Sequence, residues 1–164
     1  MAAEAKPGNS KRSGPEIRVQ AEDFDPGQEL QRLTQDDTGI GAVVSFVGLV
    51  RDFADQKSDS SMTLEHYPGM TERQIMAIAE QAWQRWPLNG CLVVHRHGRL
   101  LPGDRIVLVI AASPHRKAAF EACEFLIDWL KTKAPFWKLE QSGAMREWVE
   151  SRGSDDDAAA RWNK

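Results

Sequence analysis

Three potential cations stand together in Ser113-Pro114-His115-Arg116-Lys117. Ser followed by Pro is a strong helix start, with Ser as N-cap and Pro in the first helical position. A helix N-terminus carries about half a positive charge, so each exposed cation there is disfavoured by roughly 0.3–1 kcal/mol at low salt. Stability alone would favour Asp or Glu in that turn. Free backbone N–H groups with His115 and Arg116 beside them suit a phosphate or a carboxylate. A solvated basic turn is the plainer alternative.

A second cationic group lies in Lys131-Thr132-Lys133-Ala134-Pro135-Phe136-Trp137-Lys138. Lysines at a helix C-terminus satisfy the helix dipole, which accounts for Lys131 and Lys133 without any further role. Lys138 is less ordinary. It falls in a strand between Trp137 and Leu139, on the face that carries Phe136, and lysine is depleted in strands. Such a lysine can serve as a base or nucleophile; an edge lysine that discourages aggregation is the alternative. Arg51 stands at the exit of an apolar strand, where folds of this kind often place ligand groups. No spacing resembles a zinc site, since Cys91 and His95 lack further ligands. No phosphate loop, dinucleotide fingerprint or nucleophile elbow is present. His66, beside Tyr67, reads as a packed strand residue, and Cys123 as core.

The elements that must carry these groups follow from periodicity. Glu16–Gln20 is a short strand, and Asp25-Pro26 opens a short helix to about Leu33. Gly41–Val50 is apolar on both alternating faces, which predicts a central strand covered on both sides and delivering Arg51. Ser61–Tyr67 alternates as a half-buried strand. Thr71 to Gln74 has capping-box spacing for a helix to about Trp86, with Ile75, Ile78, Ala79, Ala82 and Trp86 as its core stripe. Cys91–His97 and Arg105–Ala112 are strands joined by a turn at Pro102-Gly103-Asp104, a hairpin or a neighbouring pair. The helix begun at Ser113 ends near Lys133, because Pro135 moves Ala134 out of helical geometry. Its polar stripe is Lys117, Glu121, Glu124, Asp128 and Lys131, opposite Phe120, Cys123, Ile127 and Leu130. Phe136–Gln141 is a last strand. The class is α+β, a mixed, mostly antiparallel sheet with two long helices and one short one.

Composition sets the outer bounds. The 164 residues suit one domain, here residues 16–150 between a polar tail at 1–15 and a polar segment at 151–164 that Trp162 can dock. With 41% hydrophobic and 27% charged residues, the chain is neither collagen-like, wholly disordered nor a disulfide scaffold. Neither a membrane span nor a secretory signal is legible, and the two cysteines lie far apart, so a cytoplasmic protein with reduced thiols is expected. The net charge of −3 argues against a nucleic-acid surface. It conceals a split, because Cys91–Lys138 holds eight Lys and Arg against four Asp and Glu, a balance of +4. A basic segment in an acidic chain points to a focused anion site.

Several stretches together carry a more specific signal: GAVVSFVGLVRDF, TLEHYPGMTERQI, WPL, HRHGRLLPGDRIVLV, SPHRKAAFEACEFLIDWLKTKAPFWKLE and WVE. In order and spacing they resemble the large, catalytic subunit of molybdopterin synthase, across roughly residues 16–162. The resemblance implies an α/β-hammerhead fold and a sulfurtransferase. Its substrate would be cyclic pyranopterin monophosphate (precursor Z), which receives two dithiolene sulfurs. The sulfur would come from the thiocarboxylated Gly-Gly terminus of a small ubiquitin-like subunit, within a heterotetramer built on a homodimer. No cofactor, metal, nucleic acid or membrane is implied.

Carried over by position, Lys131 and Lys138 match the catalytic pocket lysines. Arg51, His115 and Arg116 match substrate-binding positions, and Arg152 matches an arginine supplied across the dimer. Leu49 and Leu139 depart from the family, standing where a basic and a charged residue are common. Leu49 motivates the alternative of a non-catalytic module that binds an anion or a protein tail. Binding of single-stranded RNA by exposed Trp and basic residues is a third reading that the net charge disfavours.

Overall fold

Gly90–Arg96 and Arg105–Ser113 are nearly unbroken apolar runs, and they form the two inner strands of a four-stranded sheet. The computed structural model describes residues 12–52, 59–149 and 153–163. In chain order the elements are β1 (Glu16–Gln20), α1 (Pro26–Thr34), β2 (Ala42–Leu49), β3 (Ser60–His66), α2 (Met70–Arg85), β4 (Gly90–Arg96), β5 (Gly98–Leu100), β6 (Arg105–Ser113), α3 (Arg116–Lys133), β7 (Phe136–Ser142), β8 (Met145–Val149) and α4 (Gly153–Ala160), with a closing 3₁₀ turn at Arg161–Asn163. The fold is α+β, as the periodicity predicts, but its strands divide between two sheets.

The first sheet has the order β1-β4-β6-β2, with β1 parallel to β4 and the other pairs antiparallel. On one face Val93, Val109 and Ala111 meet Ile75 and Ala79 of α2 and Phe125 and Leu126 of α3. On the other, Leu92, Leu108 and Ile110 meet Leu33 of α1 and Phe24. β2 is an edge strand, where a central one was expected. Its Val44 and Phe46 pack on the first core and Val43 and Val47 on the second. Apolar character on both faces therefore reports cover above and below, and says nothing of lateral position.

The second sheet is antiparallel throughout, in the order β5-β3-β7-β8. β4 and β6 pair directly, yet β5 lies between them in sequence and joins the other sheet. This three-residue strand, together with β8 and α4, was not anticipated. At α2 the N-cap is Gly69, not a residue further on: the Glu72 carboxylate accepts the Gly69 N–H at 2.6 Å, and Gly69 takes φ +83°. Trp162 docks the end of the chain, as the sequence suggests. Its ring meets Trp86 and Phe125 edge-on, at 5.7 Å each, and its Nε1 donates to Asp128 at 2.7 Å.

Candidate active site

α3 is the element on which the cationic residues hang, and both of its ends differ instructively from expectation. Ser113 is the last residue of β6. Its hydroxyl donates to the Pro87 carbonyl at 2.8 Å and accepts the His115 N–H at 3.3 Å. The N-cap is His115, which makes no side-chain cap bond, and no acidic residue follows in the first turn. Ser113 is still held in the sheet, opposite Ala42 of β2, so the helix begins only after His115. The side chains of His115 and Arg116 are exposed and have no hydrogen-bond or ion-pair partner among the described residues. Phe120, expected in the core, is 61% exposed. The buried face is instead Ala118, Ala119, Ala122, Cys123, Phe125, Leu126 and Leu130, because the sheet and α2 together cover a wider arc than one apolar stripe.

At the other end, the helix stops at Lys133 and Ala134 is extended before Pro135. The chain then turns directly into β7, so Lys131 in the last helical turn and Lys138 in the strand face one cleft of about 860 Å³. Phe136, Lys138 and Glu140 alternate onto its wall. Arg51 lines the same cleft. Its position is set by Val50, 2% exposed, whose N–H donates to Asp104 O at 2.8 Å and whose carbonyl accepts Gly103 N–H at 2.7 Å. The Pro102-Gly103-Asp104 turn, with Gly103 at φ +91°, is thus the clamp that aims the exit of β2. Leu49, 55% exposed, also faces the cleft.

The lysines are moderately accessible and each has an acidic neighbour. Lys131 Nζ lies 3.9 Å from Asp155 and Lys138 Nζ 2.8 Å from Glu140. Neither acid was singled out from the sequence. Glu140 was legible as the next residue on the Lys138 face, whereas Asp155 sits in α4 with no local signal. His95 lines the cleft as well, 8% exposed and stacked on Phe136 with ring centroids 3.9 Å apart. His115 and Arg116 are not brought to this cleft. The fifteen residue steps from Arg116 to Lys131 span ~22 Å of helix. Arg152 lies outside the described residues.

Both cysteines are buried, and burial pushes each thiol up to about 12. Neither can present a thiolate at neutral pH. Sulfur chemistry in this cleft would need sulfur brought from outside. The described residues contain no group of His, Cys, Asp and Glu placed to hold a metal ion.

Residues 19–133 match the family described as MoaE protein. The chain belongs to the MoaE family. It is 57% identical over 148 residues to the molybdopterin synthase catalytic subunit of Pseudomonas aeruginosa, covering 90% of this chain and 99% of that one. Among solved structures, the molybdopterin cofactor biosynthesis protein E of Burkholderia multivorans superimposes with a TM-score of 0.78 at 45% identity, over 92% of this chain and 98% of that one. Molybdopterin synthase of Staphylococcus aureus gives 0.71 at 31% identity, over 81% and 96%. No helix among the described residues is long and apolar enough to cross a membrane.

Proposed function

We propose that this chain is the sulfur-transferring subunit of a molybdopterin synthase. In its cleft the thiocarboxylated Gly-Gly terminus of a small ubiquitin-like subunit meets cyclic pyranopterin monophosphate. The observation that carries the reading is the convergence of Arg51, Lys131 and Lys138 on one cleft, in a chain so similar to a molybdopterin synthase catalytic subunit. For each sulfur, the thiocarboxylate sulfur attacks a carbon of the pterin side chain, and a C–S bond forms as a C–O bond at that carbon breaks, its oxygen leaving as water or staying on the phosphate as the cyclic ester opens. Water then cleaves the acyl–sulfur bond and leaves the partner's terminal glycine as a carboxylate. Lys131 holds the attacked carbonyl and exchanges a proton there, displacing its loose contact with Asp155. Lys138 and Arg51 balance the charge of thiocarboxylate and phosphate. A Gly-Gly tail carries no side chains, which suits a cleft walled by Phe46, Val107, Ile127 and Phe136.

His115 and Arg116 complete the phosphate site from a second copy, because ~22 Å of helix separates them from Lys131 in their own chain. Arg152 is assigned to the same cross-dimer contribution, within a heterotetramer of two large and two small subunits. Free buried thiols fit a cytoplasmic location. The test is reconstitution: the purified chain, thiocarboxylated small subunit and precursor Z together should yield molybdopterin, and omission of any one should yield none. Product formed without the small subunit would overturn the reading.

A further inference from the structure

Among the described residues, His95 is the one buried side chain that titrates near neutrality in water, and it lies on the wall of the cleft. Its Nδ1 is 2.8 Å from the Arg96 carbonyl oxygen. A carbonyl only accepts, so in the neutral ring Nδ1 carries the proton and Nε2 the free lone pair. The stack on Phe136 holds the ring plane, with centroids 3.9 Å apart and planes 17° from parallel. Phe136 itself begins the strand that delivers Lys138. Nε2 has no hydrogen-bond partner among the described residues.

The rest of the cleft's polar lining is of the opposite kind. Arg51, Lys131 and Lys138 are donors, and the two acids, Glu140 and Asp155, already face Lys138 and Lys131. The three cations answer the anionic parts of the reactants, and the two carboxylates are charged acceptors drawn toward the lysines, so Nε2 of His95 is the neutral side-chain acceptor of the lining. A buried acceptor is worth most where its absence would strand a donor away from water. The Phe136 ring and the branched side chains beside His95 can also flank a flat heterocycle.

Resting on the sulfur-transfer reading above, we propose that Nε2 of His95 orients the substrate by accepting a hydrogen bond from an N–H of its pterin ring. Burial, with the charges of His66 and His97 adding to it, pushes the imidazole down to about 4, so the ring stays an acceptor at neutral pH. His66 and His97 lie ring to ring at 4.3 Å, tilted by 37°, and His66 is 6.3 Å from the same Phe136. They lie outside the cleft lining and are not assigned this contact.

The test pairs two variants with one measurement on the unaltered chain. His95→Phe keeps an aromatic ring against Phe136 and removes both nitrogens, whereas His95→Gln restores an acceptor near the Nε2 position. In the reconstituted synthase, His95→Phe should lower kcat/KM for precursor Z by about 10- to 100-fold, with affinity for the small subunit unchanged, and His95→Gln should recover most of the loss. In the unaltered chain, the ¹⁵N resonance of His95 Nε2 should move on addition of precursor Z and stay in place with the small subunit alone. Wild-type kinetics in His95→Phe, or a resonance indifferent to precursor Z, would overturn the proposal. So would a resonance that answers only to the small subunit. Should His95→Phe not fold, the resonance decides. A wild-type chain that makes no molybdopterin while Nε2 still responds to precursor Z would count against the sulfur-transfer reading and support the His95 contact.

Discussion

Folding carries the His95 imidazole from water into a wall where its charged form is poorly tolerated, and that transfer has a pH signature. Burial first, then the charges of His66 and His97, lower its value from 6.5 to about 4. Between those values the unfolded chain binds a proton that the folded chain refuses. Stability should therefore fall as pH drops from about 6.5 to about 4, by at most on the order of 3 kcal/mol from this residue. His97, lowered by burial and by His66, adds in the same direction. Asp23 behaves differently. The hydrogen bond from Arg105 holds its carboxyl at about 2, so its contribution is lost only below that window. Thermal unfolding at pH 7 and pH 4.5 should show a lower Tm in acid and a smaller drop in His95→Phe; equal drops would contradict the assignment. The lysines of the cleft are set by position, through the two residues Ala134 and Pro135 that join α3 to β7, and Leu49 adds an apolar part to the cleft wall.

α3 is the element through which fold becomes site, and the start of the helix is held by a contact that only glycine allows. Gly41 donates its N–H to Ser113 O at 3.0 Å. A Cβ at that position would sit 2.1 Å from the Pro114 carbonyl oxygen. Gly41→Ala should thus push β2 away from the helix start and lower stability by about 1–3 kcal/mol, the scale of overpacking. A shift of the urea midpoint at constant slope would register it. Prolines made much of α3 legible: Ala134-Pro135 marked its end, whereas the pairing of Lys131 with Lys138 came only from the family resemblance. Its start was misplaced because Ser113 pairs with Ala42 as the last residue of β6, a long-range register that no local pattern shows. β5 and β8 escaped notice for a related reason. Gly98–Leu100 is too short to show a period, and Met145–Val149 is mostly exposed, so its alternation has no buried face to report. The partition into two sheets is a matter of pairing, which no local pattern contains. Asp155 reaches Lys131 only because Trp162 and Arg161 tie the last segment to α3.

For the whole molecule, the split between a +4 segment and an acidic remainder resolves into two separate cationic places, the cleft at one end of α3 and the helix start at the other. On the proposed two-fold pairing, the helix start of one copy completes the cleft of the other. Mixing Lys131→Ala chains with chains carrying His115→Ala and Arg116→Ala should therefore restore activity that neither has alone. With random pairing about a quarter of wild-type sites are whole, and turnover of precursor Z would count them. No gain over the separate variants would place all the substrate contacts within one chain. Beneath this stands the claim that the cleft at Lys131 is where sulfur changes hands. Molybdopterin formation by the chain with thiocarboxylated small subunit and precursor Z, wild type against Lys131→Ala, tests it most directly. The variant is expected to lose at least about 100-fold in rate while still binding the small subunit; an unchanged rate would contradict the catalytic role of Lys131 and of the cleft built around it.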